Sequence, residues 1–212
     1  MWMIIRIQSF FATLLSFLFP SQCYLCKNEG ETLCTPCLQR LPKAIETPYP
    51  FIYSIYSFKN YNVKQVIHAI KYFHRRDLIH PLITTLCNDI NNPLLQEKKS
   101  ILVPIPMPHL RKYIRGHNHA ESLAQELSKI TGQPIDTSLL RRNKTNKRQV
   151  TTMSRKERID NQKNAFSVNS SVENKIIILI DDVTTTGSTL YEARALLLKK
   201  GAREVHALTI AH

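Results

Sequence analysis

Apolar positions along this 212-residue chain switch between helical and strand spacing, and the switches lay out the elements. Residues 51–58 read as a strand, and Val63, Val66, Ile67 and Ile70 form one face of a helix. Leu78, Ile79, Leu82, Ile83, Leu86 and Ile90 predict a second helix over 78–90, with Cys87 on its apolar side as a small hydrophobe. Residues 101–105 form a short apolar strand that Pro104, Pro106 and Pro108 turn into a loop at once. Ala120, Leu123, Ala124, Leu127 and Ile130 predict a third helix, stopped by Gly132 and Pro134. The run Ile176 to Ile180 suits a parallel strand buried on both faces, and a helix over 188–200 and a strand over 205–210 follow it. That βαβ succession predicts an α/β domain over 44–212 with a mostly parallel sheet and flanking helices.

Residues 1–43 read as a separate, smaller unit with its own core. Residues 10–19 are uncharged and mostly apolar, which brings a secretory signal to mind, but no small-x-small cleavage site follows. Gln8, Ser9, Thr13 and Ser16 break the stretch, which is too short for a transmembrane span. Ile7, Phe10, Phe11, Leu14 and Leu18 recur at helical spacing, so the expectation is an amphipathic helix packed on its own protein. Peripheral membrane contact is the other use of such a face.

Four of the five cysteines follow, as Cys23-x2-Cys26 and Cys34-x2-Cys37. Two such knuckles at short range supply four thiolates able to close tetrahedrally on one structural Zn²⁺. Two disulfides are the alternative, and they require an oxidising compartment, whereas the remaining features suit the cytoplasm.

Composition adds one fact that the pattern lacks. Lys and Arg outnumber Asp and Glu by 29 to 16, a net charge of +13, and the excess is concentrated. Residues 141–163 hold nine basic side chains against two acidic ones, few apolar positions and a net +7. This stretch reads as a long, basic, mobile surface loop suited to polyanions.

The densest chemistry lies at Asp181-Asp182-Val183-Thr184-Thr185-Thr186-Gly187-Ser188-Thr189. A buried strand ends in two carboxylates, and hydroxyl residues with one glycine open a helix whose N–H groups suit phosphate. No lysine follows the glycine, so this is not a Walker A loop. Adjacent carboxylates beside a monophosphate cradle suit a sugar phosphate, because they can accept hydrogen bonds from a vicinal diol. A plain capped helix is the bland reading, but paired carboxylates at a buried strand end are costly without a ligand or cation.

This loop resembles the signature of type I phosphoribosyltransferases, which bind 5-phosphoribosyl-1-pyrophosphate (PRPP). More closely, the chain resembles the ComF family of competence-associated proteins. The carriers are the apolar helix leading to Phe19-Pro20, the four cysteines, Leu102-Val103-Pro104-Ile105-Pro106, Arg115-Gly116 with Asn118, Arg142 with Thr145 and Gln149, Arg158 with Asn161, Ala165-Phe166, and the Asp-Asp-Thr-Thr-Gly loop. The resemblance implies that Asp181 and Asp182 hold the ribose hydroxyls and serve catalysis. It places the 5-phosphate on Thr185, Thr186, Gly187, Ser188 and Thr189, with Thr184 also among the PRPP-binding residues. Pro104 and Ile105 lie near pyrophosphate, with Arg142 and Arg158 of the basic hood, and Mg²⁺ accompanies PRPP. His117 and His119 stand where the family usually carries Phe and Gln.

Two functions from different classes follow. One is PRPP binding coupled to handling of single-stranded DNA in natural transformation, with Lys144, Lys147, Arg148 and Lys156 on the DNA and other competence proteins as partners. The other is an active phosphoribosyltransferase of nucleotide or amine metabolism unrelated to DNA uptake. A peripheral membrane adaptor is a third, weaker reading.

Overall fold

The computed structural model describes residues 20–45, 47–87, 95, 97, 99–108, 113, 116–143 and 165–212. The N-terminal helix expected before residue 20 lies outside them, as do Arg115, Lys144, Lys147, Arg148, Lys156 and Arg158.

After a short helix α1 (Thr35–Gln39), strand β1 (Ile52–Tyr56) leads into helix α2 (Tyr61–Tyr72), whose first turn is capped by the Asn60 side chain accepting from the Val63 N–H at 3.2 Å. A 3₁₀ turn over Arg76–Leu78 precedes helix α3 (Ile79–Cys87), so the second predicted helix starts with a tighter turn. Strand β2 (Ile101–Pro104) and helix α4 (His119–Thr131) follow, the helix ending at Gly132 with φ of 75°. Strands β3 (Leu140–Arg142) and β4 (Phe166–Val168) pair antiparallel, and strand β5 (Ile176–Val183), helix α5 (Ser188–Lys199) and strand β6 (Glu204–Ala211) complete the βαβ unit. The main sheet runs β1-β6-β5-β2, and every neighbouring pair in it is parallel.

Alternation along β5 explains the layers. Ile178 and Ile180 join the cluster formed with α2, α3 and α4, whereas Ile177 and Leu179 join Leu190, Ala193 and Leu197 of α5 on the other face. A strand covered on both sides must be apolar throughout, which is why 176–180 shows no polar alternation.

One expectation is corrected. Leu33, Leu38 and Leu41 belong to the same buried cluster as Val66, Ile70, Leu82 and Leu86, so the cysteine segment does not keep a core apart from the α/β domain. The basic run is likewise not loop from its first residue. Arg141 and Arg142 are strand residues, paired with Ser167 and Phe166.

Candidate phosphate-binding site

Because the four main strands are parallel, their carboxyl ends gather at one edge, where ligands of α/β sheets collect. Asp181, Asp182 and the 184–189 turn lie at that edge. Asp182 meets Lys71 of α2, whose ammonium lies 3.1 Å from its Oδ2, with both side chains largely buried. Asp181 accepts the Asp182 backbone N–H at 2.8 Å. Burial first, and the neighbouring Asp182 charge second, push the Asp181 carboxyl up to about 7, although the charges of Lys71 and Arg142 pull the other way. Two adjacent carboxylates remain costly to bury even with Lys71 and Arg142 near, a cost that a ligand cation or hydroxyl donors can lower.

The turn after β5 divides its labour. Thr184 is buried, its N–H spent on the Ala211 carbonyl at 3.0 Å, so this residue ties the turn to β6. Thr185, Thr186 and Ser188 are exposed and Thr189 is half-buried. The Ser188 N–H points to Thr186 Oγ1 at 3.4 Å, and the first N–H groups of α5 have no helical partners. Gly187 has φ of 71°, and a Cβ there would sit 2.8 Å from Tyr49 Cδ2 and 2.9 Å from Pro48 Cγ. Only glycine meets both demands. Tyr49 itself stacks on Tyr191 of α5, with ring centroids 5.2 Å apart.

On the other side of the carboxylates, the turn after β2 is held by both of its backbone groups. The Ile105 N–H donates to the Ile180 carbonyl at 2.9 Å, and the Ile105 carbonyl accepts from Asn118 Nδ2 at 3.0 Å. Asn118 Oδ1 also accepts the Ala120 N–H at 3.2 Å, so one side chain links this turn to the start of α4. A cavity of about 300 Å³ lies here, lined by Pro104, Pro106, Met107, Asn118, Glu121 and Arg142, among others. Pro104 and Arg142 thus line one cavity, while the Ile105 side chain is buried in the core. His117 and His119 stack edge to face with ring centroids 4.4 Å apart, and His119 is fully buried.

Cys23, Cys26, Cys34 and Cys37 converge, with all four sulfurs within 4.8 Å of one another. Zinc–sulfur bonds of about 2.3 Å place tetrahedral sulfurs about 3.8 Å apart, so this donor set fits a closed four-sulfur site. Burial works against ionisation of Cys23, but the N–H groups of Cys26, Cys34 and Leu25 bring it down to about 6. Burial, and then hydrogen bonding to the other sulfurs, push Cys37 up to about 12. Among the described residues no other group of three or more Cys, His, Asp or Glu could hold a metal. No helix of the described residues is long and apolar enough to cross a membrane.

Lys71, Tyr49 and His212 were not singled out by sequence reasoning. Lys71 sits four residues after Ile67 on a helix whose apolar stripe is the dominant signal, so nothing local marks it.

Comparison with known proteins agrees with this architecture. The family model for the phosphoribosyl transferase domain matches residues 75–212. Competence protein F of Haemophilus influenzae is 38% identical over 113 residues, covering 52% of this chain and 49% of that protein. DNA utilization protein YhgH of Escherichia coli K12 is 27% identical over 187 residues, covering 87% and 79%. Competence protein ComFC of Bacillus subtilis 168 is 32% identical over 158 residues, covering 74% and 62%. The chain therefore spans about half the length of the Haemophilus relative and most of the Escherichia one. With the sheet, the Asp-Asp-Thr-Thr-Gly turn and the four cysteines in place, the chain belongs to the phosphoribosyl transferase domain family and, within it, to the ComF family.

Proposed function

We propose that this protein binds PRPP with Mg²⁺ at the edge formed by β2 and β5, in the cytoplasm, and that its biological role is the handling of single-stranded DNA in natural transformation. The observation that carries the first part is the 181–189 segment, where paired carboxylates adjoin an open helix N-terminus. On this reading Asp181 and Asp182 accept the ribose hydroxyls, residues 185–189 receive the 5-phosphate, and the Pro104–Ile105 turn with Arg142 faces pyrophosphate. The carboxylates and ligand oxygens make an all-oxygen donor set suited to Mg²⁺. Bound there, the ion supplies neutralisation of pyrophosphate charge. Zinc at the four cysteines is structural. Asp182→Asn keeps shape but removes a charge, and a charged hydrogen bond is typically worth roughly 1.5–3 kcal/mol. PRPP affinity in Mg²⁺ should fall on the order of 10- to 100-fold by calorimetry. Equal affinity would refute the ribose assignment.

The names of the relatives, competence and DNA utilization proteins, support the second part, and so do the nine basic residues of 141–163, more than one pyrophosphate can use. Each single-strand phosphate neutralised contributes about −0.7 to the log–log salt slope of binding. Replacing Lys144, Lys147, Arg148 and Lys156 by Gln should flatten the slope on oligo-DNA by up to about 3 units, with PRPP binding kept because Arg142 and Arg158 remain. An unchanged slope would place the DNA surface elsewhere. Metabolic phosphoribosyl transfer unrelated to DNA uptake is the second reading, favoured by the completeness of the 181–189 loop.

A further inference from the structure

Helix α2 buries Val63, Val66, Ile67, Ala69 and Ile70, which are its contribution to the core. Its opposite face carries Tyr61, Gln65, His68 and Tyr72, spaced by four, three and four residues, so they form one stripe about 16 Å long. Contacts within the stripe hold it together. Gln65 Nε2 donates to the Tyr61 hydroxyl at 2.9 Å, and the His68 ring centroid lies 4.6 Å from that of Tyr72 and 5.3 Å from that of Phe73, the residue capping the helix. Tyr61 is 70% exposed, Phe73 61% and Tyr72 51%. They are three of the seven exposed large apolar or aromatic side chains among the described residues, a concentration that the core does not need and that marks a contact surface.

Charge says what this surface takes. From Thr47 to Arg76 the chain has no Asp or Glu and five basic residues, Lys59, Lys64, Lys71, Arg75 and Arg76. Lys71 is paired with Asp182 and Arg75 with Asp77, whereas Lys64 and Arg76 are exposed and make no ion pair among the described residues. Exposed rings among cations suit a single strand, whose bases stack on aromatic faces while its phosphates meet Lys and Arg. Position agrees with charge. Lys64 lines a cavity with Thr184 and Thr185, and Lys71 reaches Asp182, so α2 runs along the ligand edge of the sheet. The basic segment 141–163 contains no Phe, Tyr or Trp, so it can neutralise phosphates but offers bases no ring to stack on.

We propose that the outer stripe of α2 is a base-stacking platform for single-stranded nucleic acid, with Tyr61, His68, Tyr72 and Phe73 against the bases and Lys64 and Arg76 on the phosphates. The inference rests on the single-stranded DNA reading above and adds the element that holds bases. Every base has a π-face, so binding here shows little sequence preference.

The test compares oligo-dT with an abasic strand of the same length, both on the full chain. The wild type should bind oligo-dT more tightly by about tenfold or more, because stacking is worth roughly that factor per base. Tyr72→Ala with Phe73→Ala should remove most of this difference by weakening oligo-dT alone, with the salt slope unchanged because no phosphate contact is lost. Tyr61→Ala repeats the comparison at the far end of the stripe, and Tyr61→Phe with Tyr72→Phe should keep the wild-type preference. Lys64→Gln with Arg76→Gln should instead flatten the salt slope on both strands, by up to about 1.4 units. Circular dichroism and melting temperature establish that each variant is folded. A wild type that does not distinguish the two strands, or alanine variants that match it, would overturn the platform and leave the DNA reading standing. Alanine variants that keep oligo-dT affinity but lose self-association would assign the stripe to a second copy of the chain and overturn the platform equally. Failure of the wild type to bind either strand would overturn both readings.

Discussion

The Lys71 ammonium on α2 lies 3.1 Å from Oδ2 of Asp182 at the end of β5, and this pair joins a flanking helix to the ligand edge of the sheet. Successive strand side chains leave on opposite faces, so Asp182 can reach a helix that Asp181 does not. Lys71 also lowers the Asp181 pKa through its charge, so one lysine serves both carboxylates. Removing it strands a largely buried carboxylate beside a second one. Lys71→Met keeps the stem, and it should cost about 1–3 kcal/mol of stability, the penalty of an unsatisfied buried polar group. Urea unfolding of Lys71→Met, Asp182→Asn and the double variant measures it. The double variant should be less destabilised than the two single effects combined, and simple additivity would show that the pair is not coupled.

The raised pKa of Asp181 makes stability depend on pH in a direction opposite to that of an ordinary salt-bridged aspartate. Unfolded, the group titrates near 4, and folded it titrates near 7, so the native state holds its proton longer. Between those values the folded state binds more protons, and this contribution to stability falls as pH rises through that window. Asp181→Asn cannot ionise. Its melting temperature relative to wild type should climb from pH 4 to pH 7 and level off above. A difference that stays flat across the range would place the Asp181 pKa at its ordinary value.

Gly187 is a third point at which the ligand edge has no slack. Alanine there must adopt φ of 71° and also push its Cβ against the Tyr49 ring and Pro48. The left-handed conformation alone costs roughly 1–2 kcal/mol for a residue with a side chain. Gly187→Ala should therefore lower the melting temperature, and Tyr49→Ala in the same chain should recover at most the part owed to the ring, since the Pro48 contact and the left-handed backbone both remain. Full recovery would mean that the backbone conformation is not the constraint.

Legibility in the sequence followed from how local each signal is. The uninterrupted apolar run of β5 and the helix after it announced a βαβ unit, because burial on both faces leaves a continuous mark. The four cysteines and the Asp181–Thr189 turn were legible for the same reason, each being compact in sequence. Strand β3 was not. Two of its three residues are arginines, and it is a strand because Arg142 pairs with Phe166, a residue 24 positions on. Tyr49 over Gly187, Lys71 against Asp182 and His212 beside Thr184 are contacts between distant segments, and no periodicity records them.

The cysteine cluster gives the last prediction, and here the shared core decides the outcome. A metal-binding module with its own core would lose its metal and unfold alone when one thiolate is removed. In this chain, Cys23 and Cys37 are themselves buried in the cluster that contains Leu33, Leu38 and Leu41 together with Val66 and Ile70 of α2 and Leu82 and Leu86 of α3. Metal binding to such a site is folding free energy, because the ligands are assembled only in the folded chain. Cys34→Ala should therefore release the metal and also expose the face of α2 and α3 that the segment covers. One cooperative transition is expected in both proteins, shifted to lower urea in the variant, with no separate early step. Metal content by elemental analysis and unfolding followed by both far-ultraviolet circular dichroism and tyrosine fluorescence check it. A variant that keeps full metal occupancy would remove Cys34 from the ligand set, whereas metal loss with an unchanged main transition would show that the α/β domain stands without the segment.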